Sequence, residues 1–278
     1  MSSQTMKFPK LFSFEAAKIM AVINTTPDSF YEKSRSQTEK ELLNSIEKAL
    51  TDGADWLDIG GVSTRPGASF VDLSEERNRV IPAIQLIKKE FPEAILSVDT
   101  FRAEIAKEAC DFGASIINDV SNGADKNLLS FCAQNNVPYV LMHMRGTPDN
   151  MMQDTNYNHV VRDVYTELQN KQKELIQLGM KRLIIDPGFG FSKTLEQNYA
   201  LMQNLDFFKN LNAPILVGIS RKSMIYKLFN SDAENALNGS TVLHTIALLK
   251  GANILRVHDV KEAVEVRSIV DKLSNPFS

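Results

Sequence analysis

Four aspartates, Asp58, Asp99, Asp119 and Asp186, each close a short β-branched run, with Asn24 and Asn118 in equivalent positions. Gathered on one face, such flat acceptor and donor groups suit a planar heterocycle that carries amidine-like N–H edges. A carboxylate facing such an edge forms two parallel charge-assisted hydrogen bonds, each stronger than a neutral pair. A second set is cationic: Ser220-Arg221-Lys222-Ser223, then Arg256 and His258. Two residues apart on a strand, Arg256 and His258 point the same way, so one could clasp a phosphate bidentately while the other adds a single bond. Structural alternatives stand beside both readings. A strand-end acid can cap the next helix, and an arginine can pair with a carboxylate of another strand.

Other chemistries find less support. The stretch Asp186-Pro187-Gly188-Phe189-Gly190-Phe191-Ser192-Lys193 contains GxG but not the third glycine of a dinucleotide fingerprint, and no GxxxxGK[ST] phosphate loop occurs. His143, His159 and His244 have no partner spacing for a transition metal. His143 could line the cup, whereas His159 and His244 read as helix-surface or packing residues. A hard ion held by oxygen ligands, such as Mg2+ on a substrate phosphate, is the expected metal.

The elements that must position these groups are eight apolar runs at 19–26, 56–61, 94–100, 114–120, 139–144, 182–188, 214–220 and 253–259, with helical patterns between them. Runs apolar nearly throughout suit parallel strands buried on both faces. Eight strand-then-helix repeats predict a (β/α)8 TIM barrel, whose active site lies where the strands end. Residues 1–18 are expected to form a short N-terminal extension, as a strand or hairpin near the barrel bottom, and 19–275 one barrel domain. Helices are expected at 38–52, 74–90, 102–112, 125–136, 156–179, 195–211, 234–250 and 261–273. Thr38, Ser74 and Asp125 are their candidate N-caps, and Gly53, Gly113, Gly179 and Gly251 follow helix ends. Loops are long after strands one, two and five, where barrels keep lids.

A formal net charge of −3 argues against general electrostatic binding to nucleic acid or an anionic membrane. No run reaches the ~18 apolar residues of a membrane span, and 1–18 has no apolar signal core. The expected location is cytoplasmic. Cys110 and Cys132 are the only cysteines, with no CxxC pair, and Cys110, inside a helical stretch, reads as a small buried hydrophobe.

Read in order, the strand-end segments resemble the dihydropteroate synthases. The resemblance rests on Asn24-Thr25-Thr26-Pro27-Asp28-Ser29-Phe30, Asp58 through Gly67, Ser97-Val98-Asp99-Thr100, Ile117-Asn118-Asp119-Val120, Asp186 through Phe191, Ser220 through Ser223, and Arg256 through Val260. It spans Ile19 to Leu273. It implies condensation of 6-hydroxymethyl-7,8-dihydropterin diphosphate with 4-aminobenzoate, giving 7,8-dihydropteroate and diphosphate for folate synthesis. By the same resemblance, Asp99, Asn118, Asp186 and Lys222 would hold the pterin, with Met142 and Phe191 packed around it. Arg256, His258, Thr64 and Asn24 would hold the diphosphate, Asn24 through Mg2+. Phe30, Pro66, Ser220, Arg221 and Lys222 would form the aminobenzoate pocket, which sulfonamides would also occupy. Lys222, Asp186, Thr64 and Arg65 would be the catalytic set, and the expected assembly is a homodimer.

Three departures from the family pattern stand out. Tyr31-Glu32-Lys33-Ser34-Arg35-Ser36 replaces a Ser-Asp-Gly-Gly continuation, which should stiffen the first lid. Val62 stands where many members carry glutamate, and Ser192 where many carry glycine. The altered lid leaves room for a silent pterin-binding paralogue. A pterin-dependent methyltransferase would share the pterin-edge acids, but it would not be expected to carry both Ser63-Thr64-Arg65-Pro66-Gly67 and Ser220-Arg221-Lys222-Ser223.

Overall fold

A computed structural model describes residues 12–25, 35–62, 71–147 and 149–274. Phe30, Thr64, Arg65, Pro66 and most of the altered first lid lie outside the described residues. Eight parallel strands form the sheet: β1 (Lys18–Asn24), β2 (Trp56–Gly60), β3 (Leu96–Asp99), β4 (Ile116–Asp119), β5 (Tyr139–Met142), β6 (Leu183–Asp186), β7 (Leu216–Val217) and β8 (Ile254–Val257). Their hydrogen-bonded order is β6-β5-β4-β3-β2-β1-β8-β7. Ile185 closes the ring by bridging Ile215 and donating its N–H to Pro214 O at 2.8 Å. The predicted barrel is the observed one.

The strands are shorter than the apolar runs because only part of each run reaches a neighbour's ladder. β7 is the extreme case, with Pro214, which has no N–H to donate, two residues before it and Gly218 just after. The Asn253 side chain accepts the Ile215 N–H at 2.9 Å, replacing a missing ladder partner.

Helices α1 (Arg35–Thr51), α2 (Leu73–Glu90), α3 (Ala103–Asp111), α4 (Lys126–Asn135), α5 (Val160–Gln177), α6 (Leu195–Gln203), short α7 (Ser223–Tyr226), α8 (Leu237–Leu249) and α9 (Val260–Ser274) cover the sheet. Two predicted caps are corrected. Thr38 lies inside α1, and α2 is capped by Asp72, whose carboxylate accepts the Glu75 N–H, rather than by Ser74. Asp125 does cap α4, accepting from Asn127 N. The helix expected from 156 begins at Val160, because the Asp163 carboxylate takes up the Asn158 and His159 N–H groups. The helix expected over 195–211 gives way after Gln203 to a 3-10 segment, Leu205–Leu211. Gly53, Gly113, Gly179 and Gly251 all adopt the left-handed φ expected just past helix ends.

Side chains alternate along each strand, so one parity faces the helices and the other the barrel interior. The inward parity of Met20, Trp56, Ile116, Val140, Ile184, Leu216 and Ile254 forms one apolar cluster, the barrel floor. Phe12 and Phe14 pack against it from below, Phe14 meeting Trp56 edge-on at 6.3 Å. Residues 12–17 form no strand.

Candidate active site

Two residues beyond the floor, most of the inward parity turns polar. Trp56 leads to Asp58, Ile116 to Asn118, Val140 to Met142, Ile184 to Asp186, Leu216 to Gly218 and Ile254 to Arg256, and Asp99 faces inward from β3. The expected cup therefore follows from strand parity. Parity also corrects two of its expected members. Asp119 shares the outward parity of Ile117 and accepts from Tyr139 Oη at 2.6 Å and Ser121 N at 2.7 Å. His143 points away from the mouth to Glu167 on α5 at 2.9 Å.

At the centre Arg256 is held by two carboxylates across the barrel. Its Nε donates to Asp58 Oδ2 and its Nη2 to Asp99 Oδ2, both at 2.7 Å. The same Asp58 oxygen accepts from Asn118 Nδ2 at 2.9 Å. The alternative of an arginine paired with carboxylates of other strands is thus what the structure shows, and Asp58 joins Arg256 to Asn118. Burial raises the Asp99 carboxyl, with Arg256 pulling it back and Asp58 adding to the rise. For Arg256 the pull of Asp58 and Asp99 outweighs burial and strengthens its hold on its proton.

Asp186 sits on the opposite side. Its Oδ1 accepts the Gly188 N–H at 2.8 Å, and its second oxygen takes no hydrogen bond from the described residues. Burial raises this carboxyl too, opposed chiefly by Lys222. Lys222 follows β7, where Gly218 keeps the wall thin between it and Arg256. Its Nζ donates to Phe189 O at 2.6 Å and stands 4.4 Å over the Phe191 ring. Burial lowers the Lys222 ammonium to about 8, against the pull of Asp186.

Apolar walls complete the cup. Met142 and Phe191 belong to one small cluster with Val120, Met144 and Met151. Ser220 Oγ accepts the His258 N–H and meets its Nδ1, both at 3.2 Å. Arg221 turns elsewhere: its guanidinium grips Asp259 twice at 2.8 Å and the carbonyls of Ala233 and Glu234. Its left-handed φ of 54° lets Ser220 and Lys222 face the mouth on either side. Asn24, exposed at the end of β1, carries an amide oxygen suited to a hard cation. Among the described residues no group of three or more His, Cys, Asp or Glu could hold a metal ion. Lys193 and Glu167, bound to the back of this site, were not among the residues singled out from the sequence. A lysine directly after the glycine loop was the available signal.

A family model described as "Pterin binding enzyme" matches residues 20–258. Dihydropteroate synthase of Escherichia coli K12 is 41% identical over 258 residues, covering 91% of this chain and 90% of that protein. The crystal structure of Yersinia pestis dihydropteroate synthase with a sulfonamide drug superposes with a TM-score of 0.88 at 37% identity, covering 94% of this chain and 96% of the other. The Xanthomonas albilineans dihydropteroate synthase in complex with 7,8-dihydropteroate gives a TM-score of 0.84 at 33% identity, covering 95% of each chain.

Proposed function

The chain belongs to the family of pterin binding enzymes and works as a dihydropteroate synthase, a transferase of folate synthesis, and on that premise we propose how its residues divide the reaction. The observation that carries the assignment is the inward set Asp99, Asn118, Asp186 and Lys222 around one barrel mouth, with Arg256 above Asp58. In this reading Asp186 and Asn118 meet the N–H and carbonyl edges of 6-hydroxymethyl-7,8-dihydropterin diphosphate, with Asp99 beside them. Met142 and Phe191 pack on the ring. Arg256, His258 and Thr64 receive the diphosphate. Phe30, Pro66, Ser220 and Lys222 bound the aminobenzoate, which sulfonamides would displace, with Arg221 as the brace between Ser220 and Lys222. Residues 19–275 act as one catalytic domain, with 1–18 as its extension.

The arylamine nitrogen attacks the exocyclic methylene carbon as its C–O bond breaks. Diphosphate leaves with the electron pair, and the attacking nitrogen gives up one proton. Positive charge spreads into the pterin as the bond opens, and the buried Asp186 carboxylate beside the ring favours it. Negative charge gathers on the leaving oxygens, where Arg256 and His258 offset it. Fixed groups of this kind act most strongly where water is excluded. The amine is neutral at pH 7, so no strong general base is required. Thr64 and Arg65 are proposed, with Lys222 and Asp186, as the catalytic set.

Mg2+ fits this donor set. One amide oxygen at Asn24 suits an ion that keeps most of its shell from waters and substrate phosphates. When bound it would neutralise diphosphate charge.

A homodimer is proposed as the assembly. Its support is the exposed apolar set on the outer wall, Val242 and Leu249 on α8 with Ile269 and Leu273 on α9. No helix among the described residues is long and apolar enough to cross a membrane. A cytoplasmic site of action is proposed, since both substrates are small soluble metabolites.

The pH dependence tests the electrostatic assignment. In the free enzyme, kcat/KM for the pterin diphosphate falls as pH rises through about 8, because Lys222 then loses its charge. On the acid side it falls at a higher pH than ordinary carboxylates would give, since burial raises both Asp99 and Asp186. A profile flat across the alkaline range would remove Lys222 from the charged machinery.

A further inference from the structure

Behind the site, the loop from Asp186 to α6 is wound around a single buried ammonium. Lys193 is 2% exposed. Its Nζ donates to Phe191 O at 2.9 Å and Gly188 O at 3.0 Å, and meets His143 Nδ1 at 3.0 Å. The loop reaches this path through left-handed φ at Gly188, Gly190 and Ser192. A Cβ on Gly188 would fall 1.9 Å from His143 O, so the loop lies directly against the end of β5. Lys222 takes a third carbonyl of the loop, Phe189 O, at 2.6 Å. Two lysines thus hold three of the loop's carbonyls, one lysine at the mouth and one behind it.

We propose that Lys193 is a positioning residue for the pterin subsite, holding the loop that presents Asp186 and Phe191 and tying it through His143 to Glu167 on α5. The proposal rests on the pterin reading of Asp186 and Phe191 given above.

Proton placement is consistent along this chain of contacts. Burial and the neighbouring Lys193 lower His143 to about 4, so its ring is neutral. A neutral ring that accepts from Lys193 at Nδ1 must carry its proton on Nε2 and donate it to Glu167. Glu167 stays ionised: burial opposes this, but bonds from His143 and Arg145 bring it down to about 2. The Lys193 charge is therefore answered one imidazole away. Burial lowers Lys193 itself to about 7, with Asp186 opposing, yet an amine that has lost one proton still has two to give the loop carbonyls. The outer end of the chain is fixed as well. Arg145 pairs with Glu167, lies 3.9 Å over the Tyr157 ring and donates its backbone N–H to Ser192 Oγ at 2.9 Å. Ser192, one of the departures from the family pattern, thus uses its hydroxyl to join the loops after β5 and β6.

The side chains of Lys193, His143 and Glu167 make no hydrogen bond to those of Asp99, Asn118, Asp186, Lys222 or Arg256, so a purely structural role and a positioning role give different signatures. Lys193→Met keeps the length and apolar stem but has no donor. For the folded variant, the dissociation constant of 6-hydroxymethyl-7,8-dihydropterin rises by about 10-fold or more, whereas KM for 4-aminobenzoate at saturating pterin diphosphate changes by less than about threefold. Melting temperature is followed separately, because a merely structural lysine would lower it and leave the pterin constant of the folded fraction unchanged. That unchanged constant would overturn the proposal. Should Lys193→Met fail to fold, His143→Gln decides by the same ratio, since it leaves the lysine and removes the ring that links it to Glu167. Pterin binding by the unaltered protein is measured alongside. Its absence would refute the pterin reading itself, a failure distinct from that of the variant.

Discussion

Asp186→Asn lowers kcat/KM for the pterin diphosphate by about 10²- to 10⁴-fold, the equivalent of two charge-assisted hydrogen bonds at roughly 1.5–3 kcal/mol each. The substitution is nearly isosteric, and an amide oxygen can still accept the Gly188 N–H that Oδ1 accepts now. What changes is the other half of the group. An NH2 would face the N–H edge of the pterin, setting donor against donor, and the negative charge that favours the opening C–O bond would be gone. Affinity for the bare pterin falls along with turnover, which calorimetric titration checks directly. Unchanged affinity would reject the pterin-edge role for Asp186.

Arg256→Ala carries the second large effect, and it is double. The arginine is the counter-ion of Asp58 and Asp99 inside the barrel. Removing it leaves two buried carboxylates facing each other, and breaking a buried pair in this way costs about 3–5 kcal/mol. The melting temperature should fall by roughly 10 °C for a domain of this size. The loss should shrink in acid, where the raised Asp99 carboxyl takes up a proton and no longer needs a partner. Binding shows the other half of the effect. Affinity for the pterin diphosphate should fall much further than affinity for the bare pterin, because only the first carries the anion. Equal losses for the two ligands would make the arginine a structural counter-ion alone.

The architecture was readable because each apolar run ends in a polar residue, and a chain with eight such endings has few other ways to bury eight strands. Most of the inward set was readable for the same reason. Counting by twos from Ile116 or Ile184 reaches Asn118 and Asp186. The same count excludes Asp119 and His143, which run position alone placed in the cup. The partner of Arg256 was harder to see. Asp58 lies 198 residues away in sequence, and only closure of the barrel brings the two together. Lys193 gave the weakest signal, since a lysine after a glycine-rich loop ordinarily reads as a solvated side chain. Its burial depends on three left-handed residues folding the loop around it. Helix starts moved by a few residues wherever a different side chain was better placed to take the free N–H groups, as Asp72 is for α2.

In the proposed reading, this barrel joins a pterin to an arylamine at the mouth formed by Asp186, Asn118, Lys222 and Arg256. Its most direct test is formation of dihydropteroate by the purified protein from 6-hydroxymethyl-7,8-dihydropterin diphosphate, 4-aminobenzoate and Mg2+. Robust product is expected, abolished by a chelator and restored by added Mg2+. Tight binding of the pterin diphosphate without any product would contradict it, marking a pterin-binding paralogue that no longer catalyses and pointing to residues 31–36 of the first lid.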